Sequence, residues 1–258
     1  FIAGHKGMVG SAILRVFKRK NYKKIITVDK KNLNFLDQKK TEMFLKKIKP
    51  DFVIIAAARV GGILANKNRK GEFIYENLMI QTNLINSSYK AGVKKLIFLG
   101  SSCVYPKYAK QPLKENYLLS GNLEETNDAY AIAKIAGISM CEAYNQQYNV
   151  NYISLMPTNL YGPNDNYDQL NSHFFPAIIK KIYLAKKNKK NFVHLWGNGK
   201  PKRELMYVDD LAYACEFFLK KNIKAKLINI GSGEERTIAQ FYNFVMKKLK
   251  CNLKIKFD

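Results

Sequence analysis

The first ten residues constrain this chain more than any others. Phe1-Ile2-Ala3 reads as the end of a buried strand, and Gly4-His5-Lys6-Gly7-Met8-Val9-Gly10 follows directly. Val9, Ile13, Leu14 and Phe17 then recur at helical spacing, so the glycines stand at a strand-to-helix junction. Glycine lets the chain turn tightly and lets a pyrophosphate approach the backbone. The helix start then offers free N–H groups and the positive end of a dipole. A lone glycine trio is often only a loop. Between a strand and a helix, the nucleotide-binding reading outweighs that one.

The same alternation continues. Ile25–Val28, Phe52–Ile55, Leu96–Leu99 and Val150–Met156 are short apolar runs, separated by helical patterns over about 39–47, 73–91 and 128–148. Strands alternating with helices predict an α/β fold, a Rossmann-type doubly wound parallel sheet. After Pro163 the alternation loosens. Helices are expected over 174–187, 209–220 and from a Thr237 cap to about 250. Strand-like runs fall at 192–195, 205–208, 227–230 and 253–257. The expected division is a dinucleotide-binding domain over 1–163, to which 205–222 returns, and a smaller, partly interleaved substrate-binding portion over 164–258.

Hydrophobic residues make up 47% of the 258, enough for a sizeable core, and no apolar run approaches membrane-spanning length. The chain starts at Phe1, already inside a strand, so a few residues are expected to be missing ahead of it. A net charge of +24 raises nucleic-acid or membrane-surface binding. The lysines are scattered over nearly every helix, however, arginine is scarce, and no basic stripe interleaves with aromatics. The charge is read as solvated surface, with no nucleic-acid or membrane partner. Cys103, Cys141, Cys215 and Cys251 lie far apart, which argues against a disulfide framework or zinc site and for a reducing cytoplasm. No metal is expected. The last three cysteines are read as small buried apolar groups.

Chemistry concentrates between Leu99 and Lys134. Ser101 follows the apolar run, and Tyr130 and Lys134 lie four residues apart, on one helix face. A fixed ammonium favours the phenolate of a nearby tyrosine. A hydroxyl at a strand end plus such a pair suits moving a proton on or off a carbonyl oxygen. Residues 107–127 read as a loop over that site, with Thr126-Asn127-Asp128 capping the tyrosine helix. At the end of Ile25–Val28, Asp29 argues for a free ribose 2′-hydroxyl (NAD). Lys6, Lys30 and Lys31 argue for a 2′-phosphate (NADP), and the balance leans slightly that way.

Gly4, Gly7, Gly10, Ser101, Tyr130 and Lys134 together resemble the extended short-chain dehydrogenase/reductase superfamily, in its nucleotide-sugar branch. Gly4–Gly10, Val60-Gly61-Gly62-Ile63, Leu99–Pro106, Pro157–Pro163 and Asn171-Ser172-His173 look like the GDP-L-fucose synthase family within it. The resemblance covers essentially the whole chain and implies that the family continues beyond the position of Asp258.

That resemblance implies C3/C5 epimerisation of GDP-4-keto-6-deoxy-D-mannose and NADPH-dependent reduction of its C4 ketone. Tyr130 would donate the proton and hold the enolate oxygen. Lys134 would lower the tyrosine pKa and bind the nicotinamide ribose. Ser101 would hydrogen-bond the same sugar oxygen. Cys103 and His173 would form the acid/base pair, and a thiol suits that role once its neighbours lower its pKa. NADP(H) would contact Gly4, His5, Lys6, Gly7, Met8, Val9, Gly10, Lys30, Asp37, Ala57, Leu99, Gly100, Ser101, Ser102, Tyr130, Lys134, Pro157, Thr158, Asn159, Leu160 and His173. The GDP-sugar would contact Lys181, Trp196 and Arg203. Lys6, Lys30 and Lys181 stand where the family often has arginine, keeping charge but losing the fork geometry. A cytoplasmic homodimer joined through helices including the Tyr130 helix is also implied. Two alternatives are a nucleotide-sugar 4-epimerase or dehydratase retaining NAD, which needs no acid/base pair for C3 and C5, and a dinucleotide-sensing module without turnover.

Overall fold

The computed structural model describes residues 1–168 and 172–257. Asn171, part of the Asn171-Ser172-His173 motif, lies outside the described residues. The central sheet holds β1 (Ile2–Ala3), β2 (Phe52–Ile55), β3 (Lys95–Leu99), β4 (Asn151–Pro157) and β8 (Leu227–Ile230), all parallel and in that spatial order. The expected strand at 25–28 is reduced to a single parallel bridge from Thr27 to Ile2, outside β1. It lies at the sheet edge behind the exposed residues Asn21, Lys23 and Lys24, where few ladder bonds hold it extended.

Both faces of the sheet are covered, as a parallel sheet requires. The reason is legible in β3. Leu96 and Phe98 join one buried cluster, with Leu45 of α2 (Gln38–Ile48), Leu84 of α4 (Lys70–Lys90) and Ile138 of α5 (Asp128–Tyr148). Ile97 and Leu99 join the other, with Ile13 and Phe17 of α1 (Met8–Arg19) and Leu211 of α7 (Val208–Lys220). Alternate side chains of one strand therefore build two separate cores. Asp209 ties α7 to α1 through Arg15 and Arg19.

A third cluster lies apart from the sheet. It joins α6 (Phe174–Lys187), β6 (Phe192–Leu195) and α8 (Ile238–Lys248) through Ile178, Ile182, Leu195, Phe241 and Val245. β10 (Lys254–Phe257) pairs parallel with β6. β5 (Asn159–Tyr161), β7 (Lys202–Tyr207) and β9 (Glu235–Thr237) form a small sheet, and β5 continues directly from β4.

Among the elements that escape the sequence reading are α3 (Ile63–Asn68), β5 and β9. α3 has six residues, too few to show a helical period, and β9 has three. The Thr237 cap is present as a full capping box: Gln240 N–H donates to Thr237 Oγ1 at 3.1 Å, and Thr237 N–H donates to Gln240 Oε1 at 2.8 Å. Thr237→Ala is expected to destabilise the fold by about 1 kcal/mol, read as a drop of about 2–4 °C in Tm by calorimetry. The cap expected before α5 is not made. Asn127 stands at the N-cap position without a side-chain cap bond, and Asp128 Oδ1 instead accepts from Ala129 N–H at 2.7 Å.

Candidate active site

The carboxyl ends of β1, β2, β3 and β4 open on one cleft of about 740 Å3. Each loop leaving the sheet there adds a wall: Gly4–Gly10 after β1, Ala56–Arg59 after β2, Gly100–Ser102 after β3 and Thr158–Leu160 after β4. Carboxyl ends of parallel strands are where such sheets bind ligands, because the loops there diverge and leave room.

The glycine loop divides its labour. Gly4 has φ +88°, and a Cβ there would meet Ala57 N at 2.6 Å. A Cβ at Gly10 would meet Gly4 O at 2.1 Å. Both positions are closed to any side chain by backbone. At Gly7 the nearest atom to a Cβ is Gly4 O at 3.6 Å, an ordinary contact. The fold therefore needs Gly4 and Gly10, and Gly7 is open on the side where α1 begins. A tight turn, an uncovered helix start and the small residues Ala56–Ala58 opposite fit the pyrophosphate of a dinucleotide.

At one corner of the cleft Asp29 is held by the glycine loop: Lys6 Nζ stands 2.8 Å from Oδ2 and His5 Nε2 3.2 Å from Oδ1. The hydrogen bond and charge of Lys6 hold the Asp29 carboxyl below its usual range. Lys30 also lines this corner. Asp37, expected at the cofactor, is absent from the cleft lining. Its Oδ1 accepts from Lys40 N–H at 3.0 Å as the N-cap of α2, which lowers its carboxyl pKa.

At the other corner, α5 brings Tyr130 and Lys134 into the cleft beside Ser101 and Ser102. Lys134 is buried. Its Nζ donates to Leu99 O at 2.8 Å and sits 4.8 Å above the Phe98 ring. Burial lowers its pKa to about 8. Burial also pushes the Tyr130 phenol up, and Cys103 adds to that rise. The expected lowering of the tyrosine by Lys134 is not what this arrangement produces. The ammonium is committed to the Leu99 carbonyl, and desolvation dominates at the phenol.

Cys103 lies two residues past Ser101 on a short 3-10 helix, and its N–H donates to Ser101 Oγ at 3.4 Å. It is half-buried and is not among the residues that line the cleft. Burial raises its thiol pKa, outweighing the lowering by Ser101 and the Lys134 charge. The expected lowered thiol is thus reversed. His173 does line the cleft, at the N-cap of α6. Burial lowers its pKa, while Asp165 opposes that shift. Thiol and imidazole both favour their neutral forms. Met8, Val9, Ala57, Leu99, Gly100, Pro157, Thr158, Asn159 and Leu160 also line the cleft, and Thr158 N–H is fixed by Ile230 O at 3.0 Å.

Lys181, Trp196 and Arg203 stand outside the cleft lining. Lys181 and Trp196 come together, with Nζ 4.5 Å from the indole centroid, and the indole is 64% exposed. Arg203 lies on β7 and donates to Lys202 O at 2.8 Å. The 107–127 segment contributes nothing to the cleft. It encloses its own cavity of about 540 Å3 and reaches β8, where Asn229 N–H donates to Glu115 Oε1 at 2.9 Å.

Among the lining residues that escape the sequence reading are Arg59 and Asp165. Arg59, read there as loop, is clamped by Glu72 and Glu76 and stacked 5.6 Å over Phe73. Its place directly after Ala56-Ala57-Ala58 at a strand end was the available signal. Asp165, on the turn before the undescribed residues, faces the same cleft as His173.

The family description "NAD dependent epimerase/dehydratase family" matches residues 1–231. This chain belongs to that family. Within it, the chain groups with the GDP-L-fucose synthases. It is 48% identical over 258 residues to a GDP-L-fucose synthase of Sinorhizobium fredii, covering all of this chain and 82% of that one. Among solved structures, a GDP-L-fucose synthetase from Naegleria fowleri bound to NADP shares 29% identity at a TM-score of 0.90, over all of this chain and 79% of the other. A GDP-D-glycero-L-gluco-heptose synthase from Campylobacter jejuni, solved in the presence of NADPH, shares 33% at 0.92, over all of this chain and 87% of that one. In this family member the cleft therefore occupies the nucleotide-binding edge of an epimerase/dehydratase fold.

Proposed function

We propose that this chain converts GDP-4-keto-6-deoxy-D-mannose to GDP-L-fucose, epimerising C3 and C5 and reducing the C4 ketone with NADPH. The observation that carries it is the joint presence, at one cleft, of a nucleotide-binding glycine loop, the Ser101/Tyr130/Lys134 set and His173, with Cys103 two residues after Ser101, in a chain 48% identical over its whole length to a GDP-L-fucose synthase.

The C4 ketone acidifies the hydrogens on C3 and C5. Inverting each centre needs a base on one face, an acid on the other and a donor on the enolate oxygen. His173, whose pKa desolvation lowers, is suited to accept a proton, and Cys103, whose thiol pKa is raised, to return one. Ser101 and Tyr130 hold the sugar oxygen while its charge develops. Bound NADPH supplies the hydride for C4. Tyr130, whose phenol stays protonated at neutral pH, delivers the proton to that oxygen. Lys134 places a positive charge next to it and takes the nicotinamide ribose. Gly4–Gly10 would hold the pyrophosphate, and Lys6 and Lys30 the 2′-phosphate. Lys181, Trp196 and Arg203 serve the GDP end: Trp196 stacks on the base and Arg203 pairs with the diphosphate. Their position outside the cleft lining, with Trp196 and Arg203 exposed and Lys181 half-buried, suits a nucleotide that extends from it along the 164–258 portion, which we assign to substrate binding against the dinucleotide domain of 1–163.

We further propose a homodimer joined through helices including α5. In support, Ile132 on α5 is 47% exposed and Tyr75 on α4 59%. We place the protein in the cytoplasm, consistent with four free cysteines and, among the described residues, no helix long and apolar enough to cross a membrane.

The test is NADPH oxidation with GDP-4-keto-6-deoxy-D-mannose in D2O, with the product mass determined, for the parent chain and Cys103→Ser. The expected product carries solvent deuterium at C3 and C5. In the variant, label incorporation falls by about a hundredfold or more. Oxidation without label would reduce the reading to a plain ketoreductase, and no oxidation from folded protein would overturn it.

A further inference from the structure

We propose that Asp29 makes this chain accept NADH as well as NADPH, because Lys6 is shared between the Asp29 carboxylate and the ribose 2′ position. The inference rests on the dinucleotide reading of the cleft and goes beyond its assignment to NADPH.

The ribose corner is built from two segments. Val28, Asp29 and Lys30 follow the Thr27 bridge to β1, and His5 and Lys6 lie on the glycine loop. Asp29 accepts from Lys6 at 2.8 Å and faces His5 Nε2 at 3.2 Å, so the corner carries one carboxylate among several cationic groups. Lys31 also acts on Asp29 through its charge. A ribose 2′-hydroxyl donates well to a carboxylate, whereas a 2′-phosphate is repelled by one and drawn by ammonium groups. Asp29 therefore favours the hydroxyl form, and Lys6 and Lys30 the phosphate form.

Neither preference excludes the other nucleotide. With NADH, Asp29 keeps Lys6 and accepts from the ribose hydroxyl. With NADPH, Lys6 turns toward the phosphate, and His5 remains beside the carboxylate. The move is cheap because the Lys6 side chain is 71% exposed. Breaking an exposed ion pair changes an equilibrium constant by at most about fivefold. Lys6 and Lys30 are point charges rather than forks, so they add strength to the phosphate form without the bidentate geometry that would make it exclusive.

The test is equilibrium binding of NADPH and NADH, followed by the fluorescence of the reduced nicotinamide, with the parent chain, Asp29→Asn and Lys6→Ala. The two dissociation constants of the parent are expected to lie within about tenfold of each other. Asp29→Asn should widen the preference for NADPH by about fivefold or more, and Lys6→Ala should shift it toward NADH by a similar factor. Raising the salt should narrow the NADPH advantage. The proposal is overturned if NADH binds the parent more than about a hundredfold weaker than NADPH, or if Asp29→Asn leaves the ratio unchanged. If folded protein, checked by circular dichroism, binds neither nucleotide, the dinucleotide reading itself fails and the proposal with it.

Discussion

Tyr130→Phe is expected to lower NADPH-dependent turnover by about a hundred- to ten-thousandfold while the protein stays folded. The ring keeps its edge contact with Phe73, 6.4 Å between centroids, so packing at the start of α5 survives. What is lost is the hydroxyl that holds the sugar oxygen in both half-reactions. Deuterium exchange at C3 and C5 should therefore fall together with reduction. Cys103→Ser should differ, suppressing exchange first, and comparing the two variants separates a donor common to both steps from an acid/base group serving one. A variant that lost exchange but kept reduction at Tyr130 would remove the phenol from its proposed place. The same corner has a pH signature. Lys134 titrates at about 8, so its charge is present below that pH and lost above it. Turnover is expected to decline as pH rises through about 8 in a steady-state pH profile.

Gly10→Ala is the second large effect. Its Cβ would fall 2.1 Å from Gly4 O and 2.8 Å from His5 Cα, both backbone atoms that cannot rotate away. The loop must move, at a cost of about 3 kcal/mol or more, and NADPH affinity should drop by at least about tenfold. Gly7→Ala is the informative partner. Nothing in the protein crowds that position, and since Gly7 is the N-cap of α1, replacing it with alanine should cost no more than about 1 kcal/mol. Any loss of nucleotide binding there then reports on the ligand's approach rather than on the fold. Calorimetry and fluorescence titration of the two variants check both halves.

The contrast between those glycines shows what was legible in the sequence. The strand-to-helix junction, the helices of the sheet layer and the sheet's parallel character follow from local apolar patterning. Alternate residues such as Phe98 and Ile97 are apolar because each meets a different layer of helices. The glycine spacing alone, however, does not say which of the three the backbone requires. That depends on Ala57 and Gly4 O, brought close only by the folded chain. Asp37 illustrates the reverse. The resemblance implied a cofactor contact for it, and in the folded chain its carboxylate caps α2 instead. The pKa expectations for Tyr130 and Cys103 failed for one physical reason. Sequence spacing reveals a neighbouring charge but not the depth at which both groups sit, and here depth dominates.

The position of β8 has a consequence for synthesis. β4 is flanked by β3 on one side and by β8 on the other, and some seventy residues separate the two strands in the chain. A growing polypeptide thus carries β4 as an open hydrogen-bonding edge until residues 227–230 have left the ribosome, an interval of about ten seconds at ordinary elongation rates. Thr158, which borders the cleft at the end of that strand, gains its fixed amide from Ile230 only then. The nucleotide cleft is therefore finished late, and a nascent chain halted near residue 220 would offer that edge to chaperones or to other nascent copies.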